Sequence, residues 1–244
     1  MTQIIRAILF DLGDTLMYSP EPWPPVYEQA GRNLANALCS SDIDIDCDTF
    51  HIEFRQRLDK YYTDREHNLV ETSTLNVLQE LLAEKGNHDV PETYLRAALD
   101  EFYAITQRNW LLENDAITTL ETLQNNGLHI GLVSNAGDNR DVFQLVGKFD
   151  IEQYFDFILT SAACGYRKPH PRIFELALAH WGYMPDEIAM VGDRLDADIG
   201  GARPLGIYTI WIRRRAKIPA RLHTNPDATV DNLEEIPHLF RNLT

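Results

Sequence analysis

The sequence predicts an α/β protein in which a doubly wound parallel sheet core is interrupted by an inserted all-helical unit. Three observations lead there. From Asp115 onward, short apolar runs alternate with helical stretches, the pattern of successive βα units. A further apolar run, residues 4–10, stands alone at the start and needs that sheet as its partner. Between the two, residues 26–108 carry helical periodicity without a convincing strand.

Each element follows from local chemistry. Residues 4–10 run into Asp11-Leu12-Gly13-Asp14-Thr15, a buried strand ending in a polar turn. Pro20, Pro22, Pro24 and Pro25 follow, and proline suits neither a central strand nor a helix interior, so a rigid linker is expected. Four helices come next. They are residues 26–38, with Leu34 and Leu38 four apart; 49–65, behind Asp48 as N-cap; 74–85, with Leu75, Leu78, Leu81 and Leu82 on one stripe and a stop at Gly86; and 91 to about 109, with Pro91 in the first turn. Strands are then expected at 128–133, 157–160, 188–191 and 207–212, with helices at 115–126, 138–146, 171–181 and 196–205. The expected division is 1–16 plus 105–244 for the core and 17–104 for the insert.

Composition narrows the function. The 244 residues hold 22 Lys+Arg against 37 Asp+Glu, a formal charge of −15. So acidic a chain repels nucleic acid and anionic membrane surfaces alike, and no apolar run nears the ~20 residues that cross a bilayer. An anionic substrate therefore needs a local cation to reverse the field. Cys39, Cys47 and Cys164 form no Cys-x-x-Cys pair and no even set, which reads as reduced thiols in a cytoplasmic protein.

In parallel sheets ligands gather at the carboxyl ends of strands. Four such ends carry reactive side chains: Asp11; Ser134-Asn135; Lys168 in Gly165-Tyr166-Arg167-Lys168-Pro169; and Gly192-Asp193, with Asp198 five residues on. A lone Asp after a strand is a turn or cap residue, and Ser134-Asn135 also suits a helix N-cap. Four such ends in one sheet are harder to explain as turns.

In this order the motifs resemble those of the haloacid dehalogenase (HAD) superfamily, over essentially the whole chain. The insert is similar to that family's type-one helical cap, and Val230-Asp231-Asn232-Leu233-Glu234-Glu235-Ile236 to its closing segment. The resemblance implies a Rossmann-like core and a Mg²⁺-dependent, phosphatase-like hydrolase whose partner is a small-molecule phosphate ester. It implies Asp11 as the nucleophile that becomes an aspartyl-phosphate. It implies Asp11, the Gly13 backbone carbonyl and Asp193 as Mg²⁺ ligands. Ser134, the Asn135 backbone amide and Lys168 would bind phosphate, Lys168 also offsetting charge on the phosphoryl group. Asp198 would orient waters or Lys168 from the edge of the metal site.

One position departs from the pattern. Phosphatases of the superfamily usually carry a second Asp two residues after the nucleophile, as general acid; here it is Gly13. Asp14 is adjacent, but in extended geometry its side chain points the other way. Two alternatives follow: a 2-haloacid dehalogenase, whose halide leaves without a proton, or a catalytically weak member that binds a phosphometabolite or a protein.

Other features have plainer explanations. Asp196 is expected as a helix cap, His170 as a solvated loop residue, and Arg213-Arg214-Arg215 as a solvated loop. The Asp42-Ile43-Asp44-Ile45-Asp46 run mimics a Ca²⁺ loop but has Cys47 where glycine is required, so an interhelical loop is expected. Trp23, Tyr61, Tyr62, Trp110 and Tyr166 are expected in cores or interfaces, Trp23 and Tyr166 nearest a cleft between cap and core.

Overall fold

The structure, a computed structural model, describes residues 4–216 and 224–240. The outer limits expected for the core, 1 and 244, lie outside the described residues. The chain forms two compact units, Met1–Tyr18 with Leu112–Thr244, and Ser19–Leu111.

In the first unit, β1 (Ala7–Phe10) is buried at every position, as an apolar run with covered faces on both sides must be. After the two-residue strands β2 (Met17–Tyr18) and β3 (Leu111–Leu112), the sheet continues with β4 (His129–Ser134), β5 (Phe157–Thr160), β6 (Ile188–Gly192), β7 (Tyr208–Ile212) and β8 (Ala228–Val230). The six-stranded sheet has the order β5-β4-β1-β6-β7-β8, and its pairs are parallel. β1 sits between β4 and β6, with Phe10 level with Leu132 on one side and Val191 on the other. The chain builds outward from β1 in one direction, then returns to build in the other. The carboxyl end of β1 is therefore the topological switch point where such sheets open a crevice. β8 was not expected; three residues, Ala-Thr-Val, give no periodic signal.

Helices α5 (Ala116–Asn125), α6 (Asn139–Lys148), the one-turn α7 (Ser161–Cys164) and α8 (Pro171–Leu178) connect the strands. Their starts are chemically marked. Asp138 accepts hydrogen bonds from the Arg140 and Asp141 amides, and Thr160 accepts one from Ala163. His170 is no solvated loop residue: it caps α8 by accepting from the Arg172 amide, and its ring lies 4.5 Å from that of Tyr166. The single helix expected over 196–205 is instead a π-helical turn (Leu195–Ile199), the three-residue α9 (Gly200–Ala202) and a 3₁₀ turn (Arg203–Leu205). The Ile199 amide reaches back five residues to the Arg194 carbonyl, and Pro204 has no amide to continue a regular ladder. Asp196 is not a cap; it pairs with Arg194.

The arginine run is also corrected. Arg214 pairs with Glu113 and, through two bonds, with Asp115, while Arg215 pairs with Glu113 and lies over the Tyr18 ring. Arg213 pairs with Asp231. Asp115 also accepts from the Leu233 amide, so this cluster ties the start of α5 to the closing segment. Burial raises the Asp115 carboxyl, but the Arg214 hydrogen bonds outweigh it and leave the group below its ordinary range.

The second unit holds α1 (Trp23–Cys39), α2 (Phe50–Asn68), α3 (Thr74–Glu84) and α4 (Glu92–Thr106) around Leu34, Leu38, Phe50, Phe54, Leu78 and Leu99. Pro24 and Pro25 stand in the first turn of α1 and not in a linker, since a missing amide costs nothing there. Asp48 does not cap α2; Thr49 occupies that position, and Asp46 accepts from the Asp48 and Thr49 amides. Trp23 stacks on Tyr27 and meets Trp110 within the same unit. The reading of three reduced thiols fails for two of them. Cys39 and Cys47 form a disulfide because the loop after α1 folds back within eight residues, and Cys164 stays outside any disulfide. An odd count concealed the pair.

Candidate active site

Three of the four expected strand ends hold: Asp11, Ser134-Asn135 and Asp193 stand where β1, β4 and β6 stop, whereas Lys168 lies beyond α7 in the loop before α8 and reaches the same place from there. Asp11 follows β1, and its amide donates to the Val191 carbonyl of β6, which fixes the strand end beside that of its neighbour. Asp193 follows β6, and the Trp211 indole donates to its backbone carbonyl. Asp198 lies in the π-helical turn, with one carboxylate oxygen accepting from the Arg194 amide at 3.0 Å. Carboxylate oxygens of Asp11, Asp193 and Asp198 come within 4.8 Å of one another. Asp198, expected at the edge, is as deeply set as the other two.

Lys168 closes the cluster. Its Nζ donates to Asp11 Oδ1 at 2.6 Å, Asp198 Oδ1 at 2.7 Å and the Val133 carbonyl at 2.7 Å, which uses all three ammonium protons. The side chain is 1% exposed. An unpaired ammonium would be driven neutral at that depth, yet the Asp11 and Asp198 charges overcome desolvation and raise its pKa. Lys168 precedes a cis proline, Pro169.

Charge in the cluster does not balance, because three carboxylates face one ammonium. Burial, reinforced by Asp11, Asp198 and Asp14, pushes the Asp193 carboxyl up to about 8, and burial pushes Asp198 up to about 6 against the pull of Lys168. Both carboxyls are pushed up first by burial, and a positive charge beside them would favour their ionised forms. A hard divalent cation that takes oxygen ligands fits this donor set.

Ser134 is buried at the end of β4, level with Thr160. Gly13 is half-buried and bridges to Met17, where the chain turns through Leu12. Asp14 has a left-handed φ of 57°. The extended geometry that would aim it away therefore ends before it, and its charge reaches Asp193. Two features escaped the sequence reading. The Asn135 side chain bonds both backbone groups of Lys168, accepting from its amide at 2.7 Å and donating to its carbonyl at 2.9 Å. At Gly192 a Cβ would stand 2.2 Å from Asp198 Oδ2, so only glycine lets that carboxylate in. A Gly immediately before a strand-end Asp was the available signal.

With this geometry established, a family model for haloacid dehalogenase-like hydrolases matches residues 5–206. The chain belongs to that family. As a HAD-like hydrolase it is 29% identical to the glyceraldehyde 3-phosphate phosphatase of Methanopyrus kandleri, over 98% of this chain and 99% of the relative. It is 32% identical to the ribulose-1,5-bisphosphate 5-phosphatase of Halopiger xanaduensis, over 84% and 83%. Among solved structures it shares the fold of a HAD phosphatase from Thermococcus onnurineus, with a TM-score of 0.66 and 22% identity over 97% of this chain and 98% of that one. A 2-haloacid dehalogenase from Pseudomonas syringae has a TM-score of 0.68 and 22% identity, over 99% and 100%. HAD-like folds of both chemistries thus surround it, and the residues of the site must decide between them.

Proposed function

We propose that this hydrolase is a Mg²⁺-dependent phosphatase that cleaves the monoester of a small polar metabolite through an aspartyl-phosphate on Asp11. The observation that carries it is the charge imbalance of Asp11, Asp193 and Asp198 against Lys168. A dehalogenase has no use for two further carboxylates beside an anionic substrate and a departing halide. The curated relatives point the same way, since their named substrates are small phosphorylated metabolites.

Asp11, Asp193 and the Gly13 carbonyl would hold the ion, with Asp198 beside them. When bound, Mg²⁺ supplies the positive charge that lets a phosphate dianion approach a carboxylate. Asp11 Oδ1 is held by Lys168, which leaves Oδ2 to attack phosphorus as the ester P–O bond breaks and the alcohol oxygen departs, taking its proton from solvent. Lys168, Ser134 and the Asn135 amide would receive the phosphoryl oxygens as charge builds on them. Water then opens the acyl phosphate and regenerates Asp11.

The test is phosphate release from an aryl phosphate with and without Mg²⁺, followed by a panel of three- to five-carbon phosphates. Halide release without metal, and no phosphate release, would overturn the proposal in favour of dehalogenation. Gly13 sharpens the test: with glycine at that position, aryl and acyl phosphates should turn over faster than primary alkyl phosphates. Gly13→Asp should raise alkyl turnover by part of the ~10²–10⁴ that general acid catalysis supplies, and flatten that dependence. A folded, Mg²⁺-binding variant without gain would assign the proton to another group, with Asp14 the first to examine.

A further inference from the structure

We infer that the Asn135 side chain is a positioning residue for Lys168, acting on catalysis through that lysine; this rests on the phosphatase reading above. Lys168 is gripped at both ends by the tip of β4. Its ammonium donates to the Val133 carbonyl, and two residues later in the same strand end the Asn135 amide holds its backbone amide and carbonyl together. The two side-chain bonds imitate a peptide pair, one accepted and one donated, so they fix the orientation of the Lys168 backbone as well as its distance. Asparagine is suited to this. Aspartate would lose the donor to the carbonyl, serine spans one group, and alanine none.

The grip matters because of what Lys168 must reach. Its Nζ spends all three protons on groups from separate elements: Asp11 after β1, Val133 in β4 and Asp198 in the π-helical turn. Lys168 itself comes from the loop between α7 and α8. A flexible four-carbon stem can satisfy three such acceptors at 2.6–2.7 Å only if its root is fixed. Other bonds shape that loop, from the Gly165 amide to the Ser161 carbonyl and from the His170 amide to the Arg167 carbonyl, but they stop short of Lys168 itself. The Asn135 bonds are made to Lys168. Misplacing a reacting group by about 1 Å costs on the order of 10²-fold in rate, which sets the scale of the effect.

The experiment uses the full chain with Mg²⁺ and an aryl phosphate. Asn135→Ala should lower kcat by about 10²-fold with KM changed by less than about threefold, since the backbone amide of residue 135 is retained. Asn135→Asp, which keeps the acceptor, should fold and fall between wild type and Asn135→Ala. In a Lys168→Ala background, adding Asn135→Ala should cost no more than about twofold, because residues acting as a unit are not additive. Amide hydrogen exchange across residues 165–168 should quicken in Asn135→Ala while exchange in β1 and β6 is unchanged. Full additivity of the two losses, or an effect confined to KM, would overturn the inference. If the wild type releases no phosphate, the exchange result decides alone. Faster exchange would keep the clamp while the phosphatase reading fails, and unchanged exchange would refute the clamp.

Discussion

The core unit holds two ion clusters built from similar parts and different arithmetic. At the tip of β1, three carboxylates cluster about Lys168, which bonds Asp11 and Asp198 but not Asp193; at the start of α5, Glu113 and Asp115 face Arg214 and Arg215, two against two. The balanced cluster satisfies itself. It joins segments about a hundred residues apart and holds the Asp115 carboxyl low. In the unbalanced one, burial and the neighbouring carboxylates push Asp193 and Asp198 up, and the proposed Mg²⁺ would supply the charge they lack. Buried charge as such therefore says little about function, whereas buried charge left over says a good deal.

The comparison can be broken most sharply by removing one carboxylate from each side. Asp11→Asn should reduce turnover by at least ~10³-fold with the fold retained, whereas Asp115→Asn should leave kcat within a few-fold. Near-normal phosphate release by Asp11→Asn would eliminate the covalent route. The next largest effect is thermal. Mg²⁺ at a hundred times its Kd should add about 2.7 kcal/mol to wild-type stability, Asp193→Ala should remove that gain, and Asp115→Asn should keep it. An unchanged melting temperature in millimolar Mg²⁺ would count against the site.

Without metal, the two clusters should respond with opposite sign. Asp193→Asn relieves repulsion and should stabilise the protein in chelator. Asp115→Asn takes one of Arg214's two carboxylates, leaving it Glu113, and should destabilise the protein by ~1.5–3 kcal/mol, the scale of a hydrogen bond to a charged group. Denaturant midpoints measure both, and a shared sign would dissolve the distinction. The smallest effect is in acid. The Asp115 carboxyl is depressed in the folded state, so its contribution is present above its ordinary value of 3.8 and lost as pH falls through the lower folded value. Asp115→Asn should therefore flatten the acid limb of the stability profile.

What the sequence disclosed follows the range of the interactions. β1, β4, β5, β6 and β7 were legible because a buried parallel strand is an unbroken apolar run, and Asp11 and Asp193 because each sits where such a run stops; Lys168, past α7, was legible only through its place in the order of motifs. Arg214 and Arg215 looked solvated because their carboxylates lie 99–102 residues away. Asn135 showed its place after a strand but not its side chain's partner in another loop. Pro24, Pro25 and Asp48 were misjudged by a position or two, the scale on which helix starts blur. The Cys39–Cys47 bridge depends on a loop path that no count of cysteines reveals.

The Glu113 amide donates to the Leu16 carbonyl at 3.0 Å. The chain that departs after Tyr18 thus resumes at Leu112 a few ångströms from where it left, although 93 residues intervene. To the sheet, those residues are a bracketed clause that could be shortened, lengthened or exchanged without moving Asp11. A short turn spliced across Tyr18 and Leu112 then becomes a practical way to obtain the core alone.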